Sequence, residues 1–198
     1  LGLGCINFGS TTKETTAFEL MDTYVENGGN FFDTANNYAF WEEGFVGGES
    51  EMTIGKWLSY SGKRKDIVLA TKLGALPKTL GQHDFSKMQG LGRKTIYEEV
   101  EKSLLKLQTD YIDLLYLHVD DYKTPQEETL GALDEIAEKG WIREIGCSNF
   151  RTWRIESARN ICNRYHYKFF CAVQQRYSYL EPAIDADFGT QMVVDGDL

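Results

Sequence analysis

The sequence predicts an α/β protein built on a parallel β-sheet, and three observations support this. Short apolar runs alternate with amphipathic stretches at least five times along the 198 residues, and no Pro-, Gly- or Ser-rich linker divides them. Such alternation is typical of a parallel sheet with crossover helices, either an open doubly wound sheet or a barrel. The first turn, LGLGCINFG, lacks the G-x-G-x-x-G spacing of dinucleotide-binding sheets, which favours the barrel.

The strands are predicted from six short apolar runs: Gly2–Phe8, Asn30–Asp33, Ile67–Thr71, Ile112–His118, Arg143–Cys147 and Phe170–Gln174. Between these runs, apolar residues that recur every three to four positions predict helices over 17–28, 96–107 and 130–137. Weaker patterns of the same kind predict helices over Glu49–Tyr60 and Trp153–Asn163.

Helix boundaries are also predicted from local sequence signals. Thr95 has capping-box spacing to a glutamate three residues later, and Thr124 precedes a proline, so both threonines are expected as helix N-caps. Gly28 and Gly140 lie where helix C-terminal caps are expected.

The composition excludes several classes of protein. With 21 basic and 30 acidic side chains the net charge is −9, which argues against a general nucleic-acid binder. No run approaches the ~18 apolar residues of a membrane span, and the start, LGLGCINFGS, does not have the pattern of a signal peptide. The 4 cysteines form no C-x-x-C pair, so we expect free thiols and a cytoplasmic protein.

Polar residues at the ends of three successive strands form a candidate catalytic set. Asp33 ends the second strand, Lys72 follows the third, and His118 ends the fourth; Tyr38 lies five residues beyond Asp33. In a parallel barrel the chemistry lies at these carboxyl ends. An ammonium lowers the pKa of a neighbouring phenol, a carboxylate keeps that ammonium charged, and a neutral imidazole can orient a carbonyl oxygen. Each residue alone has an ordinary structural explanation, but the four together predict acid–base catalysis.

Metal catalysis is the alternative that the same region suggests. His118 with Asp120 and Asp121 could begin a metal site, as could the pair His83-Asp84. No further histidine or acid at a strand end completes either coordination sphere, and the charge of Lys72 would repel a cation. The sequence therefore predicts no metal site.

The chain resembles the aldo-keto reductase family over nearly its whole length. The motifs that carry the resemblance are FFDTANNY (31–38), GGESEMTIGKWL (47–58), VLATKLG (68–74), LQTDYIDLLYLHVDD (107–121), IREIGCSNF (142–150) and AVQQRYSYLE (172–181). The resemblance implies a (β/α)₈ barrel that reduces a small-molecule carbonyl with a nicotinamide cofactor, usually NADP(H). It implies Tyr38 as the general acid, Lys72 as its pKa-lowering partner, Asp33 as the partner of Lys72, and His118 as the group that orients the carbonyl.

The resemblance also assigns candidate binding residues. Ser148 and Asn149 are similar to the pair that holds the nicotinamide carboxamide, and Gln174 to its third ligand; the structural alternative for the pair is a helix N-cap. Cys5 lies where the family commonly has a threonine near the cofactor. From its position near the candidate acid, Trp41 is expected to wall a substrate pocket, with loop packing as the alternative.

The number of strand–helix units limits these expectations. A (β/α)₈ barrel takes ~250 residues, so six units predict that residues 1–198 form a single partial barrel domain without the last two phosphate-binding loops. Two functional hypotheses follow. One is an active carbonyl reductase that uses NADP(H) rather than NAD(H). The other is a truncated or regulatory fragment that binds cofactor weakly or not at all. The two open barrel edges would favour self-association.

Overall fold

Six parallel strands alternate with five α-helices in the computed structural model, which describes residues 1–79, 81, 87–180, 183, 186 and 188–194. The strands are β1 (Leu3–Gly4), β2 (Phe31–Asp33), β3 (Val68–Leu73), β4 (Ile112–Leu117), β5 (Ile142–Ser148) and β6 (Ala172–Gln174). The helices are α1 (Glu14–Glu26), α2 (Glu49–Ser61), α3 (Arg93–Leu107), α4 (Gln126–Glu138) and α5 (Thr152–Tyr165), with a short 3₁₀ turn at Arg64–Asp66. Among the described helices, none combines the length and apolar character needed to cross a membrane.

The strands lie in one sheet in the order β1-β2-β3-β4-β5-β6, and every neighbouring pair is parallel. Each helix connects two adjacent strands, which is the arrangement of a (β/α) barrel rather than of a doubly wound sheet, whose strand order reverses. The predicted barrel fold is therefore confirmed, as a half-barrel with six strands. Within the described residues β1 pairs only with β2 and β6 only with β5, so the sheet is open at both edges.

The two faces of the sheet have different roles, and β3 shows the alternation most clearly. Leu69 and Leu73 belong to the large apolar core between sheet and helices, whereas Ala70 belongs to a small cluster on the inner face with Leu114 and Tyr116. Because strand side chains alternate with a period of two, residues two positions beyond these inner ones also face the barrel interior. The polar residues of the site lie at those positions.

Two strand boundaries differ from the predicted ones in ways that affect the site. β1 is two residues long instead of spanning Gly2–Phe8, because the chain turns after it: the Phe8 N–H donates to the Cys5 carbonyl at 3.1 Å. β3 continues to Leu73, so Lys72 lies within the strand rather than after it. A side chain within a strand has a direction fixed by the pleat, and this directs Lys72 into the barrel.

Both predicted side-chain N-caps are wrong. α3 begins at Arg93, which leaves Thr95 inside its first turn, and the N-cap of α4 is Pro125 rather than Thr124. Neither helix start has a side-chain capping hydrogen bond. The Thr124 hydroxyl instead donates to Asp121 Oδ2 at 2.7 Å.

Glycines act at helix ends and at one helix contact. Gly28 and Gly140 follow the last helical residues with φ of 84° and 78°, which confirms both predicted C-terminal caps. Gly55 lies where α2 crosses α3, and a Cβ there would be 2.1 Å from the Lys106 carbonyl oxygen. Only glycine permits this close approach of the two helices.

Candidate active site

A buried lysine lies at the centre of the site. The Lys72 side chain is 1% exposed, and its ammonium donates to both Asp33 carboxylate oxygens at 2.8 and 2.9 Å. It also donates to the Thr34 carbonyl at 2.8 Å and to the Tyr38 hydroxyl at 2.9 Å. These oxygens replace the water that the charge loses on burial, and the charge is paired as a buried ammonium must be.

The sheet register explains why these residues meet. Asp33 pairs with Ala70, two residues before Lys72, and Lys72 pairs with Tyr116, two residues before His118. The three polar residues therefore lie on the inner face near the carboxyl ends of β2, β3 and β4, as the sequence predicted. Tyr38 reaches the same point from the loop after β2, in which Tyr38 is 8% exposed.

Burial and Lys72 act in opposite directions on the pKa of the Tyr38 phenol. Burial raises the pKa of Tyr38 above its usual value, and although Lys72 lowers it, the charge of Asp33 adds to the rise. The expected lowering of the pKa by Lys72 is therefore present, but the loss of hydration outweighs it. Tyr38 remains a neutral phenol near pH 7, and as such it carries a proton that it can donate.

The imidazole of His118 is also neutral. Burial and the charge of Lys72 lower the pKa of His118 to about 3. Its ring lies edge-on to that of Tyr38, with centroids 5.9 Å apart. No described group makes a hydrogen bond to its buried Nδ1 atom. A neutral imidazole next to a phenol provides a second uncharged group that can bind a carbonyl oxygen.

A cavity of about 570 Å³ opens above these residues. Its size is typical of a small-molecule site. Its lining includes predicted site residues at or after the ends of β2, β4, β5 and β6, namely Asp33, Tyr38, Trp41, His118, Ser148, Asn149 and Gln174, whereas Lys72 lies beneath it. It also includes residues that were not predicted, namely Ile6, Asn37, Ala75, Val119, Gln175, Arg176, Tyr177, Thr190 and Gln191.

Cys5 does not reach this cavity. Its thiol is fully buried and lies 3.4 Å from the Leu3 carbonyl, while Ile6 is the residue of this loop that lines the pocket. Burial, together with the charge of Asp33, raises the pKa of Cys5 to about 12. The early turn after β1 accounts for this, because it directs the residue after Cys5 rather than Cys5 itself towards the pocket.

Asn149 connects three parts of the pocket wall. Its side-chain amide donates to the His118 carbonyl at 2.8 Å and to the Ser148 hydroxyl at 3.0 Å, and it accepts from the Met192 N–H at 2.9 Å. Asn149 itself has a φ of 59°, an uncommon left-handed conformation. The N-cap of α5 is Arg151, so Ser148 and Asn149 do not cap this helix and the structural alternative is wrong.

Two adjacent glutamines follow the same wall. Gln174 donates to Asp33 Oδ2 at 3.2 Å and so connects the end of β6 to the Lys72 cluster. Gln175, which sequence reasoning missed, accepts from the Asn149 N–H at 2.7 Å and donates to the Phe150 carbonyl at 2.6 Å. Its position directly after Gln174 in the sequence could have identified it as a site residue.

Trp41 both packs and lines the pocket. Its ring lies edge-on to Tyr38, with centroids 6.2 Å apart, and to Phe40, with centroids 5.3 Å apart. The half-buried indole therefore packs in its loop and also lines the cavity, and its contact with a substrate stays a prediction.

The residues of the alternative metal site have other partners. Both carboxylate oxygens of Asp120 accept from Arg154 at 2.8 Å, and Asp121 accepts from the backbone N–H of Leu91 at 2.9 Å. The pair His83-Asp84 lies outside the described residues. In the part of the chain that is described, no three His, Cys, Asp or Glu residues form a cluster suited to a metal ion.

Comparison with known proteins agrees with this architecture. A sequence profile of the Aldo/keto reductase family matches residues 1–190. An aryl-alcohol dehydrogenase from Pestalotiopsis microspora is 36% identical over 179 residues, which cover 90% of this chain and 44% of that protein. A norsolorinic acid reductase from Emericella nidulans is 38% identical over 171 residues, which cover 86% of this chain and 42% of that protein.

A solved structure gives the same result. The holo form of an aldo-keto reductase from Bacillus halodurans superposes with a TM-score of 0.69 at 34% identity, covering 91% of this chain and 54% of that one. The chain thus spans about half the length of the relatives it matches. The profile match over nearly all of the sequence establishes that this chain belongs to the aldo/keto reductase family.

Proposed function

We propose that this protein reduces a small-molecule carbonyl to an alcohol, with a nicotinamide cofactor as hydride donor and Tyr38 as the general acid. One observation carries the proposal. A neutral phenol in the wall of a cavity of about 570 Å³ accepts a hydrogen bond from a buried Lys72–Asp33 ion pair and lies beside a neutral imidazole.

Tyr38 holds the proton that the carbonyl oxygen requires. Because its pKa is raised, the phenol stays protonated until negative charge develops on the substrate oxygen. Once that proton moves, the ammonium of Lys72, 2.9 Å from the hydroxyl oxygen, stabilises the phenolate that remains. Asp33 keeps the ammonium charged and fixed in position. His118 donates a second hydrogen bond to the carbonyl oxygen and so orients it.

The rim of the pocket fits the carboxamide of a nicotinamide. The Ser148 hydroxyl and the amides of Asn149 and Gln174 supply both donors and acceptors, which a neutral carboxamide needs. In the present structure the two amides bind protein groups, so cofactor binding would exchange these bonds for bonds to the carboxamide. When bound, the cofactor supplies a hydride to the carbonyl carbon. We propose NADP(H) rather than NAD(H), on the family resemblance.

An aromatic carbonyl is the substrate class that we propose. Trp41 and Tyr38 present aromatic rings to the cavity, and offset or edge-on packing against such rings favours an aromatic substrate. A relative at 36% identity is named an aryl-alcohol dehydrogenase, which supports the same class.

The test is consumption of NADPH by the purified chain with a panel of aromatic and aliphatic aldehydes. Tyr38→Phe should lower kcat by about 10³-fold, because general acid catalysis is lost, while cofactor affinity is retained. Tyr60→Phe is the matched control, since Tyr60 is 79% exposed and does not line the cavity. Equal activity of wild type and Tyr38→Phe would remove Tyr38 from the mechanism.

A second candidate function has its own supporting observation. The amides of Asn149 and Gln174, which would hold the cofactor, already bind the His118 carbonyl and Asp33 Oδ2. This favours a reductase-like chain that binds cofactor weakly and turns over no substrate. Titration with NADPH, followed by protein fluorescence, distinguishes the two: saturation with turnover supports the reductase, and the absence of both supports the second candidate.

A further inference from the structure

A buried carboxylate on α3 contacts the loop that carries Tyr38. Glu99 is 2% exposed, and its Oε2 atom accepts a hydrogen bond from Asn36 Nδ2 at 2.8 Å. Asn36 is 1% exposed and lies two residues before Tyr38. On its other side, the Asn36 backbone N–H donates to the Lys72 carbonyl at 2.9 Å. Asn36 thus connects α3, the loop and β3 at one point.

We propose that Glu99 is a positioning residue, which holds Tyr38 at hydrogen-bond distance from Lys72 through Asn36. The inference rests on the proposed function, because the consequence for catalysis requires Tyr38 to be the acid. The geometric part, that Glu99 sets the contact between Tyr38 and Lys72, can be tested without turnover.

The chemistry of the buried cluster supports a specific role for Glu99. Burying a carboxylate is costly, and an apolar side chain of similar volume would commonly stabilise a core as well or better. Glu99 is compensated by Lys102 Nζ at 2.7 Å and by Gln89 Nε2 at 3.1 Å, yet its second oxygen is directed to Asn36. A polar group kept in a core at such cost, and bonded to a loop, fixes the geometry of that loop.

The hydrogen bond between Asn36 and Glu99 affects the position of the Tyr38 phenol, because the loop from Asn36 to Tyr38 is short and is bonded to β3. The Thr34 N–H donates to the Ala70 carbonyl at 2.9 Å, and Asn36 is the next residue bonded to β3. Tyr38 follows only two residues later, and its hydroxyl must remain 2.9 Å from Lys72 Nζ. A displacement of about 1 Å in a catalytic group can lower the rate about 10²-fold.

Four variants separate positioning from general stability. Glu99→Ala removes the acceptor of the Asn36 amide, whereas Glu99→Gln keeps an acceptor oxygen and should rescue it. Asn36→Ala removes the same bond from the other side. Ser103→Ala is the matched control, because Ser103 is equally buried on the same helix but donates to Glu51 rather than to Asn36.

The experiment is ¹⁹F NMR of the full chain labelled with 3-fluorotyrosine, in which the Tyr38 signal is assigned by its loss in Tyr38→Phe. In the wild-type background Lys72→Met should shift this signal, which reports the contact between the two residues. In the Glu99→Ala and Asn36→Ala backgrounds the same substitution should shift it by less than half as much. In the Ser103→Ala and Glu99→Gln backgrounds the wild-type shift should be retained.

The proposal is overturned if Lys72→Met shifts the Tyr38 signal equally in the wild-type, Glu99→Ala and Asn36→Ala backgrounds. If Glu99→Ala does not fold, the Asn36→Ala background tests the proposal instead. This variant leaves the hydrogen bonds of Glu99 to Lys102 and Gln89 in place. In a preparation with turnover, Glu99→Ala should lower kcat about tenfold, with the KM for cofactor unchanged. If only the proposed function is wrong, neither the wild type nor any variant will turn over substrate, and the expected NMR shifts will still be observed.

Discussion

The neutral imidazole of His118 should make the stability of this fold depend on pH. The folded-state pKa of His118 is about 3, against an ordinary value of 6.5 that the unfolded chain should have. As the pH falls below 6.5, His118 binds a proton in the unfolded chain but stays neutral in the folded protein. The free energy of unfolding therefore decreases as the pH falls from 6.5, the pKa of His118 in the unfolded chain, towards its pKa of about 3 in the folded protein. Above this range His118 contributes no pH dependence.

The size of the effect follows from the same two values. One pKa unit corresponds to about 1.4 kcal/mol, so the folded state should lose about 2 kcal/mol between about pH 7 and about pH 5 through His118 alone. Carboxylates titrate in the same range, and a single curve would mix their contributions with this one. The prediction is therefore a difference between wild type and His118→Asn, which retains polarity but has no titrating ring.

The assay is urea unfolding followed by circular dichroism, for both proteins at both pH values. Wild type should lose about 2 kcal/mol more than His118→Asn on acidification, because the remaining histidines and carboxylates are shared. Nitrogen-detected NMR should also find the His118 ring neutral at about pH 5. Equal losses in the two proteins, or a His118 ring that titrates near its ordinary value, would refute the argument that burial and Lys72 exclude the imidazolium.

Two further predictions concern the ion pair and the helix contact. Lys72→Met should reduce the free energy of unfolding by about 3 kcal/mol, because it leaves the Asp33 carboxylate without its cationic partner. The double variant Lys72→Met/Asp33→Asn should recover part of this loss. Urea unfolding of wild type and both variants measures the two effects. Gly55→Ala should reduce stability by about 3 kcal/mol, since its Cβ would be 2.1 Å from the Lys106 carbonyl oxygen. Gly4→Ala, with no atom within 4 Å of the new Cβ, is the control, and equal thermal midpoints for the two alanine variants would contradict the close helix approach.

The inner face of the sheet was predictable because its chemistry follows the strand period. Asp33, Lys72 and His118 lie at or beside the ends of successive apolar runs, and parallel strands bring such ends to one rim. Tyr38 was found because it lies a short distance after Asp33 in the same loop. These inferences needed only local pattern and the rule that sequential parallel strands are neighbours.

The features that the sequence did not predict depend on which of several partners a side chain contacts and on how deeply it is buried. Thr124 was expected to cap a helix, but its hydroxyl binds Asp121, and no local pattern distinguishes those two partners. The turn after β1 buries Cys5, so that its thiol does not line the cavity, and no short motif indicates this burial. The net pKa of Tyr38 depends on how completely the loop is buried, which the sequence does not encode in any short motif.

The two halves of the site occupy different positions in the sheet, and this has a consequence for function. The residues that we propose for proton transfer lie at or after the ends of β2, β3 and β4, each of which is paired on both sides. The residues that we propose to hold the carboxamide lie at the ends of β5 and β6, and β6 is an edge strand of three residues in the described structure. Edge strands open locally at lower free energy than central ones, because they are hydrogen-bonded on one side only. Substitutions that loosen β6 should therefore weaken cofactor binding well before they disturb the contact between Tyr38 and Lys72.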